Sequence, residues 1–266
     1  RPGALQDFKR VVELNPRDQS IYVRLGKEMI EYKFYSEALD LFNKLIKANP
    51  KKADFFVERG VAKQNLGNIN DAIVDYDIAM KLDTASDAAY YNRGSAKLAL
   101  RDYDGALKDI DEAIKINKDD DEAFFTRATV RMAMKNYSGA IDDYNSTLYI
   151  NLANTKVYAY RGLAESFLPD EFERANADFK EALRIDPKNE DVYNLRGQAK
   201  VNMKDIAGAI KDFNMAIELD PQDPSPYLHR GLTRVSTDKK SACADFNKAA
   251  GLGSKDAAEA LKKYCQ

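Results

Sequence analysis

His229 is the only histidine in the chain. A nucleophile–base pair needs a group that takes a proton near neutral pH, and histidine is the usual one. Neither Cys243 nor Cys265 stands at a metal-ligand spacing from it. His229 therefore reads as a lone residue at a surface or groove edge. The acidic run Asp119-Asp120-Asp121-Glu122 offers oxygens to calcium, but it lacks the glycine and distant glutamate of a calcium loop. It falls where a helix starts, and acidic residues there cap free amides and complement the helix dipole. No phosphate loop, dinucleotide fingerprint or metalloprotease helix is written in the chain. The expectation is no catalytic residue, no cofactor, no metal and no enzyme.

The elements that position these residues follow from a period. The Gly94 position recurs as Gly26, Gly60, Gly94, Ala128, Gly162, Gly197 and Gly231, at intervals of 34, 34, 34, 34, 35 and 34. A fixed period in this range is the mark of a helical solenoid, in which each repeat leans on its neighbours. An aromatic series, Tyr22, Phe56, Tyr90, Phe124, Tyr158, Tyr193 and Tyr227, lies four residues before the glycines. A second series, Ala38, Ala72, Ala106, Ala140, Ala175, Ala209 and Ala242, precedes Phe42, Tyr76, Ile110, Tyr144, Phe179, Phe213 and Phe246 by four. Such spacings put each set on one helical face, so every repeat is a pair of helices. Asn15-Pro16, Asn49-Pro50, Asp186-Pro187 and Asp220-Pro221 end second helices, because proline disfavours helical geometry in the residue before it. Gly faces Ala where the two helices cross, so a large residue at Gly94 would overpack the crossing at a cost of about 1–3 kcal/mol.

Spaced this way, aromatic-x-x-x-Gly, then Ala-x-x-x-Phe/Tyr, then Pro, the chain resembles the tetratricopeptide repeat over nearly its whole length. The resemblance implies an all-α, right-handed superhelical solenoid of antiparallel helix pairs, its first helices lining a concave groove. The expected layout is one domain over 1–266. An N-terminal half-repeat (1–18) comes first, then about seven repeats (19–253, near 19–52, 53–86, 87–120, 121–154, 155–189, 190–223 and 224–253). A capping helix in 254–266, around Asp256–Tyr264, closes the stack. The chain starts without Met and in mid-repeat, and Asp7 has no first-helix arginine of its series before it, so a first helix upstream is expected in the parent protein.

Two positions depart from the family pattern. Where the family has Leu before the Gly, this chain has Leu25 and then Arg59, Arg93, Arg127, Arg161, Arg196 and Arg230. Three residues after the Gly it has Met29, Lys63, Lys97, Arg131, Glu165, Lys200 and Arg234. A matching series in the second helix reads Leu41, then Asp75, Asp109, Asp143, Asp178, Asp212 and Asp245. The one repeat with Leu in the first series has Leu in the second. An Arg–Asp pair inside each of the other six is therefore expected, a structural ladder rather than a stripe for acidic ligands.

Partner contacts in this family come from first-helix positions one, five, eight and nine after the aromatic. In the second repeat these include Val57, Val61 and Asn65, in the third Tyr91, Ser95 and Leu98. In the fourth they include Phe125, Thr129 and Met132, and in the fifth Leu163 and Phe167. Some of these are equally expected to pack only between repeats. The family's two-carboxylate clamp for chaperone tails is absent: Asn92 fits its middle member, but Val57, Val61, Glu122 and Thr126 stand where its other members belong. The groove reading is a non-catalytic module that holds a peptide or partner protein. The alternatives are a structural or self-assembly scaffold working through its ends, or an accessory domain of a larger protein. A monomer is expected, with self-association as the competing state.

Charge excludes two other partners. The 41 basic and 43 acidic residues are interspersed and leave a net −2, which is no footprint for nucleic acid or an anionic membrane. No apolar run is long enough to span a bilayer, and cytoplasm is the default location. Cys243 takes a position held elsewhere by Leu39, Ile73, Leu107, Ile141 and Ile210, which makes it a small core residue. A bond to Cys265 is open if the tail folds back. Ser166–Phe172 carries one extra residue and a proline, read as a loop insertion with Phe167 or Phe172 as an alternative partner contact. Asn136-Tyr137-Ser138 and Asn145-Ser146-Thr147 match the glycosylation pattern by chance.

Overall fold

The computed structural model describes Arg10, residues 19–152 and residues 154–265. Apart from Arg10, the expected half-repeat, with Asp7 and Asn15-Pro16, lies outside them. Among the described residues there are fifteen α-helices and no strand. They are α1 (Gln19–Glu31), α2 (Tyr35–Ala48), α3 (Ala53–Asn65), α4 (Ile69–Leu82), α5 (Asp87–Ala99) and α6 (Tyr103–Ile116). Then come α7 (Asp121–Ala133), α8 (Tyr137–Ile150), α9 (Thr155–Glu165), α10 (Phe172–Ile185) and α11 (Glu190–Asn202). Last are α12 (Ile206–Leu219), α13 (Pro224–Arg234), α14 (Lys239–Gly251) and α15 (Lys255–Tyr264). The chain divides into two compact halves, one up to Val130 and one from Arg131.

Local chemistry sets the boundaries. Three first helices start behind these side-chain caps: Ser86 accepts from the Ala89 amide, Asn154 from Val157 and Asn189 from Val192. Asp120 of the acidic run accepts from the Ala123 amide at 3.1 Å, the capping role its place predicts. Second helices stop at Ala48, Ile185 and Leu219, one residue short of the Asn/Asp-Pro pairs. The turn inside most repeats passes through one left-handed residue, Lys33, Gly67, Arg101, Lys135 or Lys204, with φ between 61° and 86°. It closes with a bond from the next amide to the carbonyl five back, as from Asp102 N to Lys97 O at 2.9 Å. In the fifth repeat the extra residue and Pro169 instead form a 3-10 turn, Pro169–Glu171.

Within each half, successive helices pack on one another, and the first helices of adjacent repeats also touch: α1 on α3, α3 on α5, α9 on α11 and α11 on α13. That crowding puts the first helices on the tightly curved, concave side. The second-helix alanines are fully buried, as are Phe42, Tyr76, Ile110, Phe179, Phe213 and Phe246. These large side chains fill the space a glycine leaves at each crossing. A Cβ on Gly94 would lie 2.7 Å from Ile110 Cγ1, and one on Gly197 2.5 Å from Phe213 Cε1. A side chain at either place forces that neighbour or the helices themselves to shift, whereas the fourth repeat carries Ala128 at the equivalent position.

The charge ladder is present and reaches further than the pairing within repeats. Arg59 grips Asp75 with Nε at 2.8 Å and Nη2 at 2.7 Å. Arg93 grips Asp109, Arg161 Asp178, Arg196 Asp212 and Arg230 Asp245 in the same two-point way. Arg127 and Asp143 belong to different halves. In its own half, Arg127 Nη1 meets Asp111 Oδ1 at 2.6 Å. The free Nη1 of the arginines reaches back to the previous repeat: Arg59 to Asn43, Arg93 to Asp77, Arg161 to Asn145 and Arg230 to Asn214, at 2.6–2.9 Å. Arg196 makes no such backward bond, because the position two beyond Asp178 is Lys180, a donor. The ring three residues before lies under the guanidinium in five repeats, as with Tyr193 under Arg196 at 5.2 Å. In the first repeat Leu25 and Leu41 are both buried in the apolar core. Asn145, within the glycosylation pattern, is an acceptor in this ladder.

The C-terminal helix α15 lies on α14, with Ala257 and Ala260 buried and Tyr264 beside the Phe246 ring at 6.1 Å. Cys243 is not a free core residue. It is bonded to Cys265, with Cα atoms 5.8 Å apart, because α15 folds back far enough to bring the chain end over α14.

Candidate functional site

In the second half, the concave side holds a cavity of about 240 Å³ formed by first helices α9, α11 and α13. Leu163, Phe167, Val201, Leu232 and the buried Phe213 ring are its apolar lining. Polar groups are few and convergent: Gln198, Asn202, His229 and Thr233. This mix of an apolar slot with a few fixed donors and acceptors suits recognition of a side chain.

Three of these polar groups are held by bonds of their own. Asn202 Nδ2 donates to Ser166 Oγ at 2.9 Å, and Ser166 Oγ donates to Leu163 O at 2.7 Å. Thr233 Oγ1 donates to His229 O at 2.7 Å. His229 Nδ1 lies 2.9 Å from Asn194 Oδ1, so with that oxygen as acceptor the proton sits on Nδ1 and Nε2 is left to accept. Burial pushes the His229 pKa below its ordinary value, with the Asp223 charge opposing. The imidazole is therefore neutral at neutral pH. Phe167 stacks on Tyr137, ring centres 4.2 Å apart, which holds this lining ring in place.

Of the residues expected at the groove, Leu163 and Phe167 line this cavity, and Met132 packs beside Leu163's core cluster. Those of the first half are placed separately. Val57 is buried in the core, Val61 packs against it, and Asn65 is exposed and donates to Val61 O. Tyr91 and Leu98 pack half-buried on the third-repeat core, and Tyr91 Oη lies 3.4 Å from Thr126 Oγ1. Ser95, Phe125 and Thr129 are half-buried, and Thr129 Oγ1 bonds Phe125 O at 3.0 Å. Sequence reading stopped at the fifth repeat and so missed part of the cavity. The same offsets counted from Tyr193 and Tyr227 lead to Gln198, Val201, Asn202 and Leu232, whereas His229 and Thr233 fall outside that rule. Among the described residues, no group of three or more His, Cys, Asp or Glu gathers to hold a metal. No helix among them is long and apolar enough to cross a membrane.

Residues 87–120 and 190–223 match the family model of the tetratricopeptide repeat. No curated protein matches the chain. A tetratricopeptide repeat protein from Parabacteroides merdae shares the fold at TM-score 0.79 and 19% identity, over 98% of this chain and 100% of that one. The structure of the APC/C hetero-tetramer Cut9–Hcn1 matches at TM-score 0.72 and 15% identity, over 97% of this chain but 51% of that one. YrrB, described as a TPR protein with an unusual peptide-binding site, matches at TM-score 0.55 and 20% identity, over 68% of this chain and 92% of that one. Two stretches of the chain thus match the repeat's model, and the fold is the one those solved structures share. That fold serves in general as an interaction and scaffold module and is generally non-catalytic.

Proposed function

We propose that the chain holds an extended or helical segment of a partner protein on its concave side, with an apolar side chain seated in the α9–α11–α13 cavity. The observation that carries this reading is the cavity itself: Leu163, Val201 and Leu232 offer an apolar slot, while Asn202 and His229 stand fixed to bond a backbone passing over it. Leu232 is 43% exposed and Phe167 39%, so large apolar surface faces solvent where a partner would cover it. The peptide-binding site named for YrrB and the protein assembly named for Cut9–Hcn1 support the same class of function for this fold.

The test is a pull-down with matched surface variants. Leu232→Glu puts a charge in the cavity, and Val74→Glu puts one on a second helix, where Val74 is 54% exposed. A partner retained by the wild type and Val74→Glu but lost by Leu232→Glu is the expected result, with thermal melts unchanged. Equal retention by both variants would sink the groove reading.

A further inference from the structure

The fifth repeat breaks a rule that five others keep. Four places after the ladder arginine they carry a cation that reaches the repeat's aspartate. Lys63 Nζ lies 2.8 Å from Asp75 Oδ2, Lys97 Nζ 2.7 Å from Asp109 Oδ2 and Lys200 Nζ 2.8 Å from Asp212 Oδ2. Arg131 and Arg234 do the same to Asp143 and Asp245, at 2.7 and 3.4 Å. In α9 that place belongs to Glu165. It is 4% exposed, and its Oε2 is buried without a hydrogen-bond partner. Asp178 Oδ2 there receives Arg161 Nε at 2.7 Å and, among the described residues, no second cation. Glu165 and Asp178 line a cavity of about 300 Å³, with Arg161 and Arg174 at its sides and Ile141 and Ala177 as apolar wall.

We propose that this cavity binds an organic ammonium group, which takes the place of the lysine that other repeats supply. Two carboxylates against Arg161 leave one uncompensated negative charge when both are ionised, and one ammonium with three donors neutralises it. Glu165 is the last residue of α9, and a cation is favoured at a helix C-terminus. The alkyl stem lies along Ile141 and Ala177. Arg174 does not fill the place, since its Nη1 is drawn to Glu171 Oε2 at 2.8 Å. A divalent metal is the wrong ligand, because calcium takes six or more oxygens and no cluster of acidic ligands stands here among the described residues.

Without a ligand the site takes a proton. Burial, then the charge of Asp178, hold the Glu165 carboxyl up to about 8, with Glu171 adding to the rise and Arg161 and Arg174 opposing it. The raised value means that neutral Glu165 favours the fold at acid pH. That contribution is lost as pH rises from the ordinary carboxylate range through about 8. Proton and ammonium therefore compete for one place.

The whole chain, titrated with n-butylammonium chloride and followed through the Ala164 and Ala177 amides by NMR, tests this. Saturable shifts are expected, about tenfold tighter one pH unit above that value than one unit below, which is the ratio of ionised Glu165. Tetramethylammonium, which has no donor, is expected to give none. Glu165→Gln should weaken binding about tenfold or more. Glu165→Lys should abolish it and raise the melting temperature, since the new side chain reaches Asp178 as Lys200 reaches Asp212. A blocked lysine amide that binds as tightly as butylammonium marks a partner's lysine as the source, and weaker binding marks a free amine. No saturable shift in the wild type above that pH, or equal shifts in Glu165→Lys, overturns the proposal. Neither result touches the concave-side cavity, so the two readings fail separately.

Discussion

Replacing Arg93 by Leu is expected to cost roughly 3–5 kcal/mol of unfolding free energy, read from urea denaturation. The reason is what stays behind. Asp109 is 2% exposed and receives Arg93 at 2.8 and 2.6 Å, so it keeps a buried charge with most of its donors gone. Lys97 remains at 2.7 Å and holds the loss toward the lower end of that range. Adding Asp109→Leu should then recover most of the stability, because the first repeat already carries Leu25 and Leu41 at the two equivalent positions. Lys97, with a fifth of its side chain exposed, can turn to water. A double variant less stable than either single one would show that the pair is not a unit.

Cutting the bond between Cys243 and Cys265 is expected to lower stability by about 3 kcal/mol. The bond closes a loop with a sequence separation of 22, and loop closure of that length restricts the unfolded chain by such an amount. The loss should concentrate in α15, whose apolar contact with the stack rests on Ala257, Ala260, Leu261 and Tyr264. Reductant should lower the melting temperature of the wild type and leave that of Cys243→Ala/Cys265→Ala unchanged. Equal melting of the wild type with and without reductant would mean that the helix is held by packing alone.

The stack was legible because its residues repeat under one physical demand. Gly at a crossing, Ala opposite it and a large side chain to fill the gap recur at the period of a helix pair. The ladder was legible for the same reason, since Leu25 and Leu41 change together against the Arg and Asp of later repeats. The backward bond to Asn43, Asp77, Asn145 or Asn214 was harder to see. Asn and Asp are ordinary on an exposed helix face, and only packing shows that an arginine arrives there. Glu165 was visible as an exception in its series, but its burial depends on how α9 sits against α10. The Cys243–Cys265 bond depends on the path of the last turn, which no periodicity encodes.

The missing clasp at Arg196 has its own consequence. Arg59, Arg93, Arg161 and Arg230 each hold two repeats at once, so those neighbours share a side chain and come apart together. Between the fifth and sixth repeats Lys180 offers nothing to hold, and Arg196 grips Asp212 of its own repeat alone. Strain spread evenly along the row would gather at that seam, as in a zip with one tooth removed.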